Sequence, residues 1–463
     1  MTNLVLDPQT HEKLLKKAER PAKLAEVWHP FYKGKIEIIP KCKVEDMSDF
    51  SVWYTPGVAR SCQLIKEDLD RGSVEALYTH TNKWNTIAVL SDGTRVLGLG
   101  DIGPEAALPV MEGKGLLFKY LGGVDAFPLT VSTKDPEEII QLVKWIQPAF
   151  GGINLEDISH PKCFTILDRL RKDKEIQIPV WHDDQQGTAA IALAAFYNAL
   201  KLVGKKIDEV KVVMYGAGAA GIGIARLLVA AGVKIGNIIM LDSKGILHPN
   251  RCDKELLKEK YPEKWEFAVN GNKEGLRGGL DEAVKGADAI MALSVPKPGT
   301  IKPEHIKAMA DKPIVFALAN PLPEIWPWDA EEAGAAVVAT GRSDFPNQVN
   351  NSLIFPGLFR GVLDVRAYTI TDQMAIAAAK EVARVAEEKG LRKDYIVPSM
   401  QEREVFPREA VAVAEEAMKT GIARVKKSRE ELFDMANYMI SRTEKINKAL
   451  LELGLIKRPP EVD

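Results

Sequence analysis

Val212-Val-Met-Tyr215 runs into Gly216-Ala-Gly218-Ala-Ala-Gly221, and a helical pattern follows from Gly221 to Ala231. The order is that of a buried strand, a glycine turn and a helix. The three glycines answer three needs: a tight turn, close approach of backbone to a pyrophosphate, and close packing of helix on strand. The helix start supplies free N–H groups and positive dipole to the phosphates. A glycine turn in a sheet that binds no nucleotide would carry the same letters. Here Asp242 closes the next apolar strand, Ile238-Ile-Met-Leu241, which is where a dinucleotide's ribose is held. An acid there accepts the ribose hydroxyls of NAD and repels the extra phosphate of NADP. Ser243 and Lys244 follow at once, a hydroxyl and an ammonium that could bind that phosphate, so the cofactor reads as NAD or NADP.

Outward from this unit the pattern is strand–helix alternation. Ile178-Pro-Val180 leads through His182 into a helix over Thr188–Leu202, and buried strands recur at Ala287–Met291, Ile314–Ala317 and Ala335–Val338. Such alternation predicts an α/β fold with a parallel sheet wrapped by helices. Toward the N-terminus a helix over His11–Arg20 is expected to end or kink at Pro21, with strand and loop material over Lys35–Trp53. Ile87-Ala-Val-Leu90, Ser91-Asp-Gly-Thr94 and Arg95-Val-Leu-Gly-Leu99 read as a hairpin, because Asp-Gly between two apolar runs is a turn signal. A helix over Lys114–Leu121, a strand over Ala126–Val131, a helix over Glu137–Ile146 and a short strand Ile153-Asn-Leu155 complete this half. After Asn351 the chain turns helical, over Asp372–Glu388, Pro407–Thr420 and Ser428–Leu453. The last helix follows the basic stretch Arg424–Lys427 and reads as a terminal extension.

At 463 residues the chain exceeds the size of a single core, so two domains are expected. Hydrophobic residues make up 46%, charged residues 27%, and the formal net charge is -2, a balance that selects neither nucleic acid nor an anionic membrane as partner. No apolar run reaches membrane-spanning length. Met1 to Lys17 lacks the apolar stretch of a signal peptide and the bias of a transit peptide. Cys42, Cys62, Cys163 and Cys252 are far apart, which argues against a zinc ribbon or disulfide framework and fits a reducing cytoplasm.

Two acidic pairs stand at strand ends. Glu156-Asp157 follows Ile153-Asn-Leu155, and Asp183-Asp184 lies between a strand and the Gln-Gln-Gly-Thr188 start of an alanine-rich helix. Ligands of parallel sheets collect at the carboxyl ends of strands, and oxygen donors without cysteine or spaced histidine point to Mg²⁺ or Mn²⁺. Helix capping is the competing reading, strongest for Asp183. Lys114 follows Pro109-Val-Met-Glu-Gly113 at what reads as a helix start, where the positive dipole and burial would lower its pKa toward that of a general base. Taken singly, Lys114 reads as a surface lysine and Tyr54 as a packed aromatic.

In order along the chain stand Tyr54-Thr-Pro-Gly-Val-Ala59, Arg95-Val-Leu-Gly-Leu-Gly-Asp-Ile-Gly103, Gly113-Lys114, Leu155-Glu-Asp157, Asp183-Asp-Gln-Gln-Gly-Thr188, the glycine turn, Ala319-Asn-Pro321 and Gln348-Val-Asn-Asn-Ser-Leu-Ile-Phe-Pro-Gly357. The ordered set resembles the malic enzyme family, in particular its shorter, prokaryotic-type members. The resemblance implies oxidative decarboxylation of malate to pyruvate and carbon dioxide with NAD or NADP and a divalent metal. It implies Tyr54 as general acid, Lys114 as general base and Asp183 as the partner that orients the lysine. Glu156, Asp157 and Asp184 become metal ligands, and Arg95, Asn320 and Asn351 contacts to the malate carboxylates and the nicotinamide end. It further implies a smaller α/β malate domain of residues 1–182 with returning helices over 351–425, a Rossmann-like domain over 183–350, an extension over 426–463, and a homodimer or tetramer. A malolactic-type enzyme that retains NAD shares these motifs. An amino-acid dehydrogenase leaves the acidic pairs without a task, and a non-catalytic nucleotide-binding module leaves the lysine without one.

Overall fold

The computed structural model describes residues 8–462. Two parallel sheets carry the chain. The first is built from β1 (Thr86–Ser91), β2 (Asp125–Thr130), β3 (Gly152–Leu155) and β4 (Val180–His182), in the order β2-β1-β3-β4. The second is built from β5 (Val212–Tyr215), β6 (Ile238–Asp242), β7 (Gly245–Ile246), β8 (Ala289–Ala292), β9 (Ile314–Ala317) and β10 (Val337–Thr340), in the order β10-β9-β8-β5-β6-β7. Only β7 runs antiparallel, on the edge beside β6. The chain reverses its direction of winding at β5, between β6 and β8, and the crevice at such a point is where α/β sheets bind ligands.

The expected hairpin over Thr86–Leu99 does not form. Ile87, Ala88, Val89 and Leu90 are all fully buried, and β1 pairs in parallel with β2 on one side and β3 on the other. A continuous apolar run covered on both faces is the mark of a central parallel strand, and it outweighs the Asp-Gly signal. The turn instead sends the chain away from the sheet. Asp92 Oδ1 accepts from the Thr94 amide (3.1 Å) and hydroxyl (2.6 Å), and Lys162 pairs with the same carboxylate. Of the returning segment only a single bridge, Val96 to Gly100, remains. Over Lys35–Trp53 the structure has no strand, only a turn of 3-10 helix at Met47–Asp49 and a short helix at Phe50–Trp53. The N-terminal helix does not stop at Pro21; it spans Pro8–Tyr32.

One apolar core runs from the first sheet, through the helices Gly103–Gly122, Thr188–Val203 and Phe355–Asp364, to one face of the second sheet. A separate cluster covers that sheet's other face. The Thr188–Val203 helix is alanine-rich because neighbours press on it from nearly all sides, and every residue of Phe355–Asp364 is buried. The Asp372–Glu388 helix lies against Thr188–Val203, while the Val405–Lys419 helix lies against Phe355–Asp364. The last helix, Arg429–Glu452, starts at Ser428 with a reciprocal cap: the Glu431 amide donates to Ser428 Oγ and the Ser428 amide to Glu431 Oε2. It packs on Gly103–Gly122 and Val405–Lys419, so the extension belongs to the body of the fold. Beyond it, the Trp28 indole and the Tyr32 hydroxyl donate to the carbonyls of Pro460 and Lys457. Among the described residues no helix is long and apolar enough to cross a membrane.

Candidate active site

The register of the first sheet brings the two acidic pairs together. Leu155 at the end of β3 pairs with His182 at the end of β4, so Glu156-Asp157 and Asp183-Asp184 leave adjacent strands side by side. Into this corner the Gly103–Gly122 helix delivers Lys114. Its ammonium lies 2.7 Å from Asp183 Oδ2 and 2.9 Å from Glu156 Oε1, with the Phe355 ring 4.2 Å away. Lys114, Glu156, Asp157 and Asp183 are all buried. Three of the four carboxylates are held from behind. Trp181 Nε1 donates to Asp183 Oδ1 at 2.9 Å, Asn154 Nδ2 to Glu156 Oε2 at 2.8 Å, and the Asp157 amide to Asp184 Oδ2 at 2.8 Å. Asp183 opens a wide π-helical turn, Asp183–Gly187, and makes no helix-capping bond, so the capping reading is set aside. Asp157 itself has φ +54°, a left-handed conformation that short polar side chains tolerate best.

Lys114 is not at a helix start. It lies in the second half of its helix, and its pKa moves opposite to the sequence expectation. Burial works to lower it, but the Asp183 and Glu156 carboxylates outweigh burial and raise it above the ordinary lysine value. The carboxyls respond to crowding. Burial, with Asp184 adding repulsion, pushes Asp157 up to about 8. Burial likewise raises Glu156 well above the usual range, against the pull of Lys114. Four carboxyls thus face one ammonium, an excess of negative charge that invites a further cation.

The donor set suits a hard divalent ion: every candidate ligand atom is a carboxylate oxygen, and Asp157 Oδ2 is buried without a hydrogen-bond partner. Among the described residues no three acidic, histidine or cysteine side chains already converge as a cage. Glu156 is turned to Lys114 and Asn154, and Asp184 to the Asp157 amide. A metal held by Glu156, Asp157 and Asp184 would share the Glu156 oxygens with Lys114 and Asn154.

The nucleotide crevice lies behind the π-helical turn. Gly216 has φ +127°, and a Cβ there would stand 2.5 Å from the Leu293 carbonyl oxygen. A Cβ on Gly221 would stand 1.9 Å from the Gly216 carbonyl oxygen, which is the close helix–strand approach the motif requires. Gly218 begins the Ala219–Ala230 helix and faces open space, as a phosphate cradle needs. Asp242 ends β6, with Ser243 and Lys244 exposed beyond it.

The remaining sequence candidates divide. Asn351 lies beside the turn: a Cβ on Gly187 would be 1.9 Å from Asp183 Oδ1 and 3.2 Å from Asn351 Cβ. The Arg95 amide donates to the Asp157 carbonyl at 3.0 Å, which puts its exposed side chain at the rim. Asn320 is exposed on the opposite lip, where its carbonyl would be 3.4 Å from a Cβ on Gly98. Tyr54 is not brought in. It is 70% exposed, and its hydroxyl has no hydrogen-bond partner among the described residues.

Residues 33–171 match the model of the malic enzyme N-terminal domain, and residues 185–418 that of the malic enzyme NAD binding domain. The chain belongs to the malic enzyme family. It is 52% identical over 392 residues to the NAD-dependent malic enzyme of Geobacillus stearothermophilus, covering 84% of this chain and 78% of that protein. It is 49% identical over 404 residues to the bifunctional malic/malolactic enzyme of Bacillus subtilis, covering 87% of this chain and 95% of that one. The crystal structure of Entamoeba histolytica malic enzyme superposes with a TM-score of 0.92 at 46% identity, covering 98% of this chain and 93% of that one.

In this malic enzyme, sequence reasoning missed the supporting residues. Asn154 is part of the short strand Ile153-Asn-Leu155, and Trp181 and Phe355 carry no role of their own in the sequence reading. The available signal was period: Asn154 is a buried amide in an apolar strand two residues before Glu156, and Trp181 stands two before Asp183, so each shares a strand face with the acid it holds.

Proposed function

We propose that the chain converts malate to pyruvate and carbon dioxide while reducing NAD or NADP, with Mg²⁺ or Mn²⁺ held by Glu156, Asp157 and Asp184. The observation that carries this reading is the buried Lys114–Asp183 pair at the strand ends, next to the glycine turn. When bound, the ion polarises the malate hydroxyl and offsets the carboxylates that hold Lys114 protonated. Lys114 then takes the hydroxyl proton while hydride leaves carbon 2 for the nicotinamide. Asp183, fixed by Trp181, keeps the lysine aimed. As carbon dioxide departs, the electron pair of its bond to carbon 3 flows toward the carbon 2 oxygen, and Tyr54 supplies the proton to carbon 3. Arg95 at the rim and Asn320 and Asn351 across the crevice are assigned to the malate carboxylates and the nicotinamide end. The division into residues 1–182 with 351–425, and 183–350, puts one sheet on each side of this crevice.

The exposure of Tyr54 bears on assembly. Ile38, Met47, Val52 and Trp53 are exposed along the same segment, an apolar surface that fits contact with a second copy. A homo-oligomer in which Tyr54 reaches the crevice of its neighbour reconciles its role with its position. All four cysteines are free, which fits a reducing cytoplasm.

The test is to incubate the purified protein with malate and Mn²⁺, with NAD or NADP in parallel, and to follow reduced nicotinamide and pyruvate, with a chelator control. Metal-dependent, stoichiometric formation of both is expected. Lactate without net reduction selects the malolactic reading, which the bifunctional Bacillus subtilis relative keeps in view. Absence of any turnover rejects both.

A further inference from the structure

An acid at the end of the second strand of a dinucleotide fold excludes NADP only if its charge is uncompensated. Asp242 is compensated. Its Oδ1 accepts from Arg251 Nη1 at 2.8 Å and from the Lys244 amide at 3.0 Å, and Lys264 Nζ lies 3.5 Å from Oδ2. Arg251 is held in place by a two-pronged pair with Asp253, through Nε at 2.9 Å and Nη2 at 2.8 Å, and Lys244 Nζ reaches the same carboxylate at 3.0 Å. Arg251 is only 6% exposed, Asp242 10% and Lys264 16%, so solvent does little to weaken the arrangement. The group sums to three cations, Lys244, Arg251 and Lys264, against two carboxylates, Asp242 and Asp253.

We propose that Arg251, supported by Lys264, is a specificity-determining residue at the adenosine end of the nucleotide site, and that it makes this chain accept NADP alongside NAD. The inference rests on the nucleotide reading given above. A 2′-phosphate arriving at β6 meets a guanidinium–carboxylate pair with surplus positive charge, and Lys244 stands 57% exposed beside it. A ribose hydroxyl is served too, because Oδ2 has no closer partner than Lys264 and keeps lone pairs to accept with. Arginine suits the task because it cannot shed its proton, and its fork engages two acids at once.

The experiment is calorimetric titration of the full chain with NAD⁺ and NADP⁺, without substrate, at low and high salt. Wild type is expected to bind both with dissociation constants within about tenfold of each other, and NADP⁺ is expected to lose more affinity with salt. R251Q should weaken NADP⁺ relative to NAD⁺ by about tenfold or more, and K264Q should act in the same direction with smaller effect. Wild-type binding of NADP⁺ about a hundredfold weaker than NAD⁺, or an unchanged ratio in both variants, overturns the proposal. If R251Q does not fold, the wild-type ratio, its salt dependence and K264Q decide. Failure of wild type to bind either nucleotide would instead reject the nucleotide site itself.

Discussion

Replacing Asp183 by Asn tests the centre of the site with one changed atom. The carboxylate accepts from two buried donors, Lys114 Nζ at 2.7 Å and Trp181 Nε1 at 2.9 Å. An amide offers one acceptor oxygen, so one donor is left facing an NH₂ group, at a cost of about 1–3 kcal/mol. Stranding a buried charge altogether costs about 3–5 kcal/mol. Lys114 is not stranded, because Glu156 remains 2.9 Å away, and losing one of four crowded carboxyls relieves repulsion. The lower range therefore applies, and D183N should shift the urea midpoint, measured with chelator present, by an amount equivalent to about 1–3 kcal/mol. Turnover should suffer more. Misaiming a general base costs about 10²- to 10⁴-fold, so kcat is expected to fall at least about a hundredfold. The KM for malate should stay within about fivefold, since Asp183 touches the lysine and not the substrate. A kcat within about threefold of wild type would refute the assignment of Lys114 as a base aimed by Asp183. A stability loss beyond about 5 kcal/mol would show that Glu156 does not partner the lysine.

Further outcomes follow from the same geometry. Asp157 is raised from 3.8 to about 8 by burial and by Asp184, so its contribution to stability is complete below about pH 4 and is lost as pH rises through about 8. Thermal scans with chelator should show this decline, saturating Mn²⁺ should flatten it by replacing the proton, and a flat profile with chelator contradicts the raised value. G218A, with open space around its Cβ, should leave the melting temperature unchanged yet weaken NADH binding by about tenfold or more, read by fluorescence titration. G221A, whose Cβ would stand 1.9 Å from a carbonyl oxygen, should lose both stability and binding, and equal behaviour of the two variants would remove the glycine argument. S428A should cost about 1 kcal/mol through loss of the helix cap and leave kcat untouched.

Much of the fold could be read from the sequence where burial is repetitive. Strands β3, β5, β6, β8 and β9 and the helix Asp372–Glu388 lie where apolar runs and periodicity put them. Local rules failed where packing across the fold overrode them. Pro109 sits inside the Gly103–Gly122 helix because Ala107, Met111, Gly115, Phe118 and Leu121 form a buried stripe along it. That is why Lys114 is a mid-helix residue. The acidic pairs were visible at their strand ends, but their neighbourhood depends on β3 pairing with β4, a contact that no local pattern encodes. Arg251 carries no local signal for the same reason: it is nine residues beyond Asp242, and only the turn through β7 brings it back.

The π-helical turn Asp183–Gly187 has a mechanical meaning. It begins at the last strand of one sheet and ends in a helix packed toward the other, and the Ala219–Ala230 helix rests on it so closely that a Cβ on Gly223 would stand 2.6 Å from the Gln185 carbonyl oxygen. If the two sheets part by a rotation about this turn, where the chain passes from one to the other, the turn lies on the axis. Displacement grows with distance from an axis, so the lips at Gly98 and Asn320 would travel while Asp183 and Lys114 kept their separation. The crevice could then open to exchange malate and nucleotide without dismantling the pair that does the chemistry. Spin labels placed on the two lips should report a wide distribution of distances that narrows when both ligands bind.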